Sequence, residues 1–527
     1  MAVAYLLELS RDMTASSWLL ALEVVVAIAY VISSVVAWWR LREFKGPFLA
    51  SFSYMWLGWV SWSGRMGEEL AKAEAKYGGP PPTTIRVGPS QLLTSDPDAI
   101  RRSSAARSRY SRSTWYNSAT LDPYEPSMLN TLDTAAHDRL KAMTAPGYTG
   151  KENASLERDL DSVVGELADK IRTKYAVAKA SDAKPLLDLA TMVQYFTLDS
   201  ISKLAYGEEF GFLQTESDVH GYLETVEYIA PTTVTISALP LVRAIATSKF
   251  ILNLFGPTPK DKKGVGVLMG LAKAIVDKRF ACEDPGAVRD MLGSFIRHGL
   301  TRRQCETESL IQIVAGSDTT ATAIRTGLLH LMTNPRAYHA LQAEIDQGIR
   351  DGRISSPITN AEANQLPYLQ AVIYETLRIH PPVTALFFKV VPPEGDMIDG
   401  KRVPGGTEVG PNFRGLMRNR VLFGPDPDVF RPERWLSSPG EGGGGVDRAE
   451  MRRVAEMAFG YGRWMCAGKM IAFLELNKVF VELLRQFDFQ LVYPSQPSKT
   501  VNYNLYFQRD MWVSVSLREQ AKPREKN

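Results

Sequence analysis

The chain has 527 residues, which is enough for one large catalytic unit or for two to three smaller domains. Its 45% hydrophobic and 23% charged residues exclude a collagen-like or disordered chain, and its net charge of +3 argues against a dedicated nucleic-acid surface. Three cysteines, Cys282, Cys305 and Cys466, are too few for the disulfide framework of a small secreted protein. We therefore expect a folded protein in a reducing compartment, whose cysteines are either buried fillers or reactive thiolates.

An apolar segment near the N-terminus predicts a membrane anchor. Residues 18–39 carry a single charge and would form a helix about 33 Å long, enough to cross the core of a bilayer. A cleaved signal peptide is the alternative, but its apolar region is usually shorter and follows basic residues. Basic residues between 40 and 45 place the following part of the chain in the cytosol by the positive-inside rule. We therefore predict a single-pass anchor in residues 1–45 and one catalytic domain in residues 46–527.

Hydrophobic periodicity beyond the anchor predicts a mainly α fold with a minor β component. Helices alternate with proline- and glycine-containing breaks, and neither an internal repeat nor a convincing linker divides the region. A glycine-rich stretch at 440–445 predicts a surface insert. The predicted elements, in chain order, are a helix ending at Tyr77, a strand at 83–88, mostly helix over 131–295, helices at about 306–331, 336–348 and 368–380, short strands over 383–409, and a helix at about 469–487.

One cysteine lies in a glycine-rich stretch directly before a predicted helix. Residues 459–468 read FGYGRWMCAG, and Cys466 lies between Arg463 and Lys469. The glycines permit tight turns and a close approach of the backbone to a flat ligand. Basic neighbours and a helix N-terminus lower the pKa of a thiol, so we predict a thiolate that can ligate iron. A core cysteine in a glycine turn is the alternative.

This stretch resembles the haem-binding loop of the cytochrome P-450 superfamily, F-x-x-G-x-R-x-C-x-G. The arginine position of that pattern holds Trp464, and the arginine falls one place earlier, at Arg463. The resemblance implies that Cys466 is the axial thiolate ligand of haem b, and it leaves open which basic side chain pairs with a haem propionate. The residues that match the pattern are Phe459, Gly462, Cys466 and Gly468.

Two further segments, in the order of the family, resemble its core-locking triad. Residues 375–378 resemble the E-x-x-R motif, and residues 430–435, FRPERW, resemble the F-x-P-E-R-W segment. The spacing E-x-x-R also occurs elsewhere in this chain, so the spacing alone is not specific. The match at 375–378 is more specific because it lies between the central helix and the cysteine loop, as in the family. The resemblance implies a triad of Glu375, Arg378 and Arg434 that supports the haem site.

Residues 315–320, AGSDTT, lie within the predicted helix 306–331 and resemble the family motif A-G-x-[DE]-T-[TS]. The resemblance makes Asp318 and Thr319 the catalytic pair that delivers protons to bound oxygen. Glycine followed by hydroxyl residues also weakens a helix, so simple packing or a kink is the alternative. Positions that contact haem propionates in the family hold His137, Lys141 and Lys389 here, although a solvated helix face would also explain the first two.

The family resemblance implies a monooxygenase that uses molecular oxygen. The sequence has no Gly-rich nucleotide-binding motif after a predicted strand, so electrons must come from a partner protein. The resemblance implies that this partner is NADPH–cytochrome P450 reductase on the endoplasmic reticulum membrane, with cytochrome b5 as a further donor. A reductase-independent enzyme that rearranges peroxides or dehydrates, and a non-enzymatic haem-binding membrane protein, remain the alternatives. The predicted docking face consists of Arg139, Lys141, Arg452, Arg453, Arg463 and Lys469.

The family's pocket positions predict an apolar, aromatic site for a lipophilic small molecule. The residue sequences of the motifs are similar to those of filamentous-fungal microsomal members of the family, such as the pisatin demethylase group. This similarity implies a role in secondary metabolism. The pocket segments are 114–132, Val314 and Ala315, 383–388, and 502–507.

Overall fold

The computed structural model describes residues 14–79, 83–120, 122–176, 185–436 and 447–519. The glycine-rich insert predicted at 440–445 and position 121 of the predicted pocket lie outside them. Helices dominate the described residues, as predicted. They are α1 (Ala15–Arg40), α2 (Met55–Trp62), α3 (Met66–Tyr77), α4 (Pro97–Ser104), α5 (Thr134–Tyr148), α6 (Leu156–Lys170), α7 (Leu189–Tyr206), α8 (Phe212–Thr215), α9 (Tyr222–Ala238), α10 (Pro240–Ala246), α11 (Lys249–Phe255), α12 (Val265–Phe280), α13 (Met291–Arg297), α14 (Arg302–Met332), α15 (Pro335–Arg350), α16 (Asn360–Ala363), α17 (Pro367–Ile379), α18 (Phe413–Leu416), α19 (Arg420–Phe423), α20 (Arg448–Ala455) and α21 (Lys469–Leu484).

The strands form small sheets at the edges of the helical body. A mixed five-stranded sheet has the order β1-β2-β8-β5-β3, a three-stranded antiparallel sheet has the order β4-β12-β9, and two hairpins pair β6 with β7 and β10 with β11. The strands are β1 (Thr84–Gly88), β2 (Gln91–Thr94), β3 (Ser111–Arg112), β4 (Leu187–Asp188), β5 (Lys389–Val390), β6 (Asp396–Ile398), β7 (Lys401–Val403), β8 (Glu408–Pro411), β9 (Phe487–Leu491), β10 (Lys499–Tyr503), β11 (Leu505–Arg509) and β12 (Trp512–Leu517).

Helix α14 runs through the centre of the main hydrophobic core. It begins four residues before the predicted start at 306, because Thr301 and Gln304 form a capping box at its N-terminus. The helix packs along α7 at Gly316, where a Cβ atom would lie only 2.8 Å from Cγ1 of Ile201. Gly316 therefore permits a close helix contact, and α14 continues through it without a break. Its continuity shows that the hydroxyl-rich stretch does not interrupt the helix.

Helix α1 confirms the predicted apolar segment. Among the described residues it is the one straight helix that is long and apolar enough to cross a membrane, and its side chains are almost all exposed. A second apolar candidate, formed by α9 with the preceding turn and by α10, is bent by 118° at the junction. The division of the chain into an anchor of residues 1–45 and one catalytic domain stays a prediction.

Candidate active site

The cysteine loop joins α20 to α21 through turns that require glycine. Gly460 and Gly462 have φ angles of +76° and +54°, which side chains rarely adopt. A Cβ atom on Gly462 would also lie 2.4 Å from the carbonyl oxygen of Ser104. The backbone N–H of Cys466 donates to the carbonyl oxygen of Phe459 at 2.7 Å and closes the loop. Cys466 is thereby fixed two residues before Gly468, the N-cap of α21.

The sulfur of Cys466 lies among groups that favour the thiolate, but burial outweighs them. Burial raises the pKa of the Cys466 thiol, while the backbone N–H groups of Gly468 and Lys469 and the charges of Lys141 and Lys469 lower it. The predicted depression of this pKa is therefore wrong for the thiol by itself. The side chain of Cys466 is nevertheless exposed in the described protein. A coordinating metal ion deprotonates a thiol directly, so the geometry remains compatible with a thiolate ligand.

A side chain of helix α5 anchors the cysteine loop by hydrogen bonds to backbone carbonyl oxygens of the loop. The Nζ atom of Lys141 donates to the carbonyl oxygens of Arg463 at 2.6 Å and Met465 at 2.8 Å. The Nε atom of Arg463 lies 3.1 Å from Oδ2 of Asp138, and its Nη2 atom donates to the carbonyl oxygen of Ala106. Lys141 and Arg463 therefore hold the loop in place, and their predicted roles toward haem stay predictions.

A set of polar donors surrounds the ring of Trp464 on the same loop. The rings of His137 and Trp464 are 4.4 Å apart, and burial lowers the pKa of His137 to about 4, so this imidazole is neutral near pH 7. The guanidinium of Arg112 lies 4.5 Å from the Trp464 ring centroid, and Arg112 pairs across the strands with Lys389. Burial, followed by the charge of Arg112, lowers the pKa of Lys389 to about 7.

These residues fit a flat cofactor that carries carboxylates and an iron atom. The Nε atom of Arg112 and the Nε1 atom of Trp464 are buried without a hydrogen-bond partner, so both donors are available to an acceptor. The charge of Lys141 acts on both Arg112 and Cys466, which places the cations and the sulfur in one region. Soft sulfur and buried cationic donors are the groups that haem iron and haem propionates require.

The structure brings the three predicted triad residues together in the core. Nε of Arg378 lies 2.8 Å from one carboxylate oxygen of Glu375, and Nε of Arg434 lies 2.9 Å from the other. Nε1 of Trp435 also donates to Glu375, at 2.9 Å. Burial alone would raise the pKa of Glu375, but the two arginines hold it below its usual value. Glu375 is therefore ionised and joins α17 to the segment Pro432–Trp435.

Asp318 and Thr319 follow each other on α14 but contact different parts of the protein. The carboxylate of Asp318 accepts hydrogen bonds from Tyr222 of α9 and Gln194 of α7, each at 2.9 Å. Burial raises the pKa of Asp318 to about 6, although these bonds and the charge of Arg325 lower it. The hydroxyl of Thr319 donates to the carbonyl oxygen of Ala315 at 3.0 Å. Within the described residues no hydrogen bond joins the predicted pair directly.

The predicted pocket segments converge beside α14. The N–H of Thr384 donates to the carbonyl oxygen of Asn504 at 2.9 Å, which joins segment 383–388 to segment 502–507. The ring of Phe387 lies 5.3 Å from that of Trp115, which brings in segment 114–132. Trp115, Tyr116 and Phe387 pack in one apolar cluster there, next to the buried polar residues Asn502 and Asn504. The role of this region as the substrate site stays a prediction.

Several buried polar residues near the site carry no motif that the sequence could reveal. Tyr222 and Gln194 contact Asp318 from helices that are far away in sequence, and Arg112 lies in a two-residue strand. Glu475 of α21 is fully buried near Thr320, and burial raises its pKa to about 8. Only the packing of distant elements identifies these residues, because each is isolated among ordinary neighbours in the sequence.

Comparison with known proteins settles the family. The family model described as Cytochrome P450 matches residues 47–508. The chain therefore belongs to the cytochrome P450 family and is a monooxygenase that binds haem through a cysteine thiolate ligand to the iron. This confirms the fold, enzyme class and cofactor predicted from the motifs, whereas the roles assigned to individual side chains stay predictions.

Three of the curated relatives are fungal proteins. A protein named cytochrome P450 monooxygenase ABA1 from Pyricularia oryzae is 45% identical over 516 residues, which cover 97% of this chain and 99% of the relative. A protein named cytochrome P450 monooxygenase aba1 from Botryotinia fuckeliana is 42% identical over 480 residues, covering 91% and 92%. Pisatin demethylase from Fusarium vanettenii is 29% identical over 461 residues, covering 86% and 84%.

Proposed function

We propose that the protein oxidises a lipophilic small molecule of fungal secondary metabolism with electrons from NADPH, delivered by cytochrome P450 reductase at the endoplasmic reticulum membrane. Haem held by a cysteine thiolate supplies the activation of dioxygen. The acid and hydroxyl of Asp318 and Thr319 on α14 carry the proposal, because reductase-dependent oxygen activation needs protons inside a closed site. One of the fungal relatives, pisatin demethylase, is named for a small-molecule substrate, which supports the proposed substrate class.

The buried carboxyl of Asp318 suits proton delivery. Its pKa of about 6 lies close to neutral pH, so the group exists in both protonation states under working conditions. The phenol of Tyr222 and the amide of Gln194 hold the carboxyl in one position, and Thr319 presents its hydroxyl one residue farther along α14. We infer that the carboxyl group of Asp318 holds the proton before its transfer. The hydroxyl of Thr319 then orients the group that accepts this proton.

An exposed apolar face supports attachment to a membrane beside α1. The face lies on α2, α10 and α11, and Gly58 of α2 packs against Leu239 at the start of α10. Large apolar side chains exposed in one region of a soluble surface are unusual and are typical of a membrane contact. The exposed residues of this apolar face are Met55, Trp59, Trp62, Leu241, Val242, Ile245, Phe250, Leu254 and Phe255.

Most basic side chains of the predicted docking face for the reductase already form ion pairs or hydrogen bonds within the protein. Lys469 pairs with Glu456 at 2.7 Å, Arg453 pairs with Glu450 at 2.9 Å, and Lys141 and Arg463 hold the cysteine loop. Within the described part of the chain, Arg139 and Arg452 form no ion pair. We infer that these two arginines contribute most of the attraction to an acidic partner.

Turnover assays test the proposed function. The full chain with reductase, NADPH and oxygen should convert a lipophilic metabolite into a product heavier by one oxygen atom. Reversing Arg139 and Arg452 to Glu should lower reductase-supported turnover several-fold and spare peroxide-supported turnover, because only the first needs docking. Lys262→Glu, a charge change outside the docking face, is the control. Equal turnover without reductase would instead support rearrangement or dehydration.

A further inference from the structure

Two buried cations lie side by side across a short pair of strands. Arg112 of β3 is directly opposite Lys389 of β5 in the antiparallel register, so both side chains project to the same face. Arg112 is 8% exposed and Lys389 is 6% exposed. Within the described residues neither side chain forms an ion pair, and the Nε atom of Arg112 has no partner. Two buried like charges are unfavourable by themselves, so this pair calls for an anion.

The indole of Trp464 lies against the same guanidinium. The Cζ atom of Arg112 is 4.5 Å from the centroid of the Trp464 ring and 4.7 Å from that of Tyr116. Its Nη1 atom donates to the carbonyl oxygens of Met128 at 2.6 Å and Thr131 at 3.1 Å. Stacking and these two bonds fix the plane of the guanidinium. Its Nε atom and the Nε1 atom of Trp464 remain available to an acceptor.

The arginine of the cysteine loop has other partners. Arg463 forms an ion pair with Asp138 at 3.1 Å and donates to the backbone of the segment after α4. Trp464, which stands at the arginine position of the family pattern, carries no charge of its own. It instead stacks on a guanidinium that comes from a strand more than 300 residues earlier in the chain.

We propose that Arg112, stacked on Trp464 and paired across the strands with Lys389, binds the propionate carboxylates of haem in place of the arginine that the cysteine loop lacks. The inference rests on the assignment of Cys466 as the iron ligand. Two carboxylates balance two cations, and a guanidinium can bind a carboxylate through two parallel hydrogen bonds. Arg112 is thus a cofactor-binding residue that the motifs do not reveal, and Trp464 is the residue that positions it.

Haem release from the ferric protein to excess apomyoglobin tests this assignment. Arg112→Met should release haem about 10- to 100-fold faster, because a charge-assisted hydrogen bond to a propionate is lost. The midpoint potential should become more negative, since a positive charge near the cofactor is removed. The reduced protein with carbon monoxide should keep the spectrum of thiolate ligation. Adding Trp464→Arg to Arg112→Met should restore slow release, because a guanidinium returns to the loop.

Two further variants keep the test decisive. Arg109→Met removes an exposed arginine that pairs with Glu394 and should leave the release rate unchanged. Arg112→Lys keeps the charge and should give intermediate release even if Arg112→Met does not fold. Release as slow as in the natural protein from both Arg112 variants would overturn the proposal. A natural protein without the thiolate-type spectrum would refute the assignment of Cys466 instead.

Discussion

Asp318 illustrates how the surroundings of one carboxyl group set its chemistry. The side chain is buried, and burial raises its pKa to about 6, whereas Tyr222, Arg325 and Gln194 act in the opposite direction. Each of these neighbours favours the ionised form, so each holds the pKa below the value that burial alone would give. The position of the proton therefore depends on residues of α7 and α9 as much as on α14 itself.

Loss of the Tyr222 phenol should move the pH dependence of coupled turnover upward. In Tyr222→Phe the Asp318 carboxylate loses a donor, so its pKa rises and the inflection in product formed per NADPH consumed moves to higher pH. Asp318→Asn should remove that inflection. Tyr206→Phe is the matched control, because its phenol donates to Ser309 on the same helix without contact with Asp318. An unchanged profile in Tyr222→Phe would contradict the proton-storage role.

The sequence reveals residues that belong to local patterns and misses those that meet through folding. Cys466 and Glu375 stand in recognisable motifs, and Glu375 contacts the two arginines that its motif implies. The pKa of the Cys466 thiol was mispredicted because flanking basic residues are visible in the sequence and desolvation is not. Arg112 and Tyr222 lie in unremarkable segments, and only strand pairing and helix packing bring them to the site.

At the scale of elements, Glu375 holds a helix to an irregular segment. Arg378 lies on the same helix, α17, and also donates to carbonyl oxygens of Met417 and Pro427. Arg434 arrives from the segment Pro432–Trp435. The network stays favourable because each buried charge is paired and each donor has an acceptor. The carboxylate of Glu375 is the anion that both guanidinium groups share, and both also donate to the carbonyl oxygen of Val429.

Glu375→Gln should destabilise the protein strongly although it preserves the shape of the side chain. Two buried guanidinium groups then lack their shared anion, which costs about 3–5 kcal/mol of unfolding free energy. The urea midpoint followed by circular dichroism, together with haem content, measures the loss. Glu450 also pairs with two arginines, Arg453 at the same E-x-x-R spacing and Arg101, but all three side chains are partly exposed. Glu450→Gln should therefore cost only about 1 kcal/mol per pair or less. Similar losses in the two variants would show that burial of the triad does not matter.

Long periodic helices were predictable from the sequence, whereas their ends were less so. Helix α14 begins at Arg302 because of its capping box, and α21 ends at Leu484 because Phe487 already belongs to β9. Caps and strand pairing involve single residues and distant partners, so periodicity does not detect them. The small sheets depend on pairing between segments that are far apart, such as β2 with β8, and their order was not predicted.

At the scale of the whole molecule, the apolar face and α1 are the two surfaces that we propose as separate contacts with a membrane. Helix α1 is long enough to span a bilayer, and the apolar face on α2, α10 and α11 exposes aromatic and aliphatic side chains. A spanning helix and an interfacial surface together restrict how the catalytic domain can tilt.

Removal of the anchor should therefore leave the protein bound to membranes. A chain lacking residues 1–45 should still sediment with phospholipid vesicles. Adding Phe250→Ser, Leu254→Ser and Phe255→Ser on α11 should weaken vesicle binding roughly 100-fold or more, since each apolar side chain contributes about 1.5–3 kcal/mol when buried. Val421→Ser with Val429→Ser, which changes exposed apolar residues outside the apolar face, should have little effect. Release of the truncated chain without further substitutions would exclude a second contact.

The attachment of the cysteine loop to α5 has a consequence for biosynthesis. Lys141 and the carbonyl oxygen of Arg463 are separated by 322 residues, so their bond cannot form until the ribosome has produced both segments. The loop that carries Cys466 therefore reaches its place only after most of the chain has been synthesised. We therefore expect stable haem binding late in synthesis, because the ligand at 466 and the pocket segment 502–507 both follow α5 by more than 300 residues.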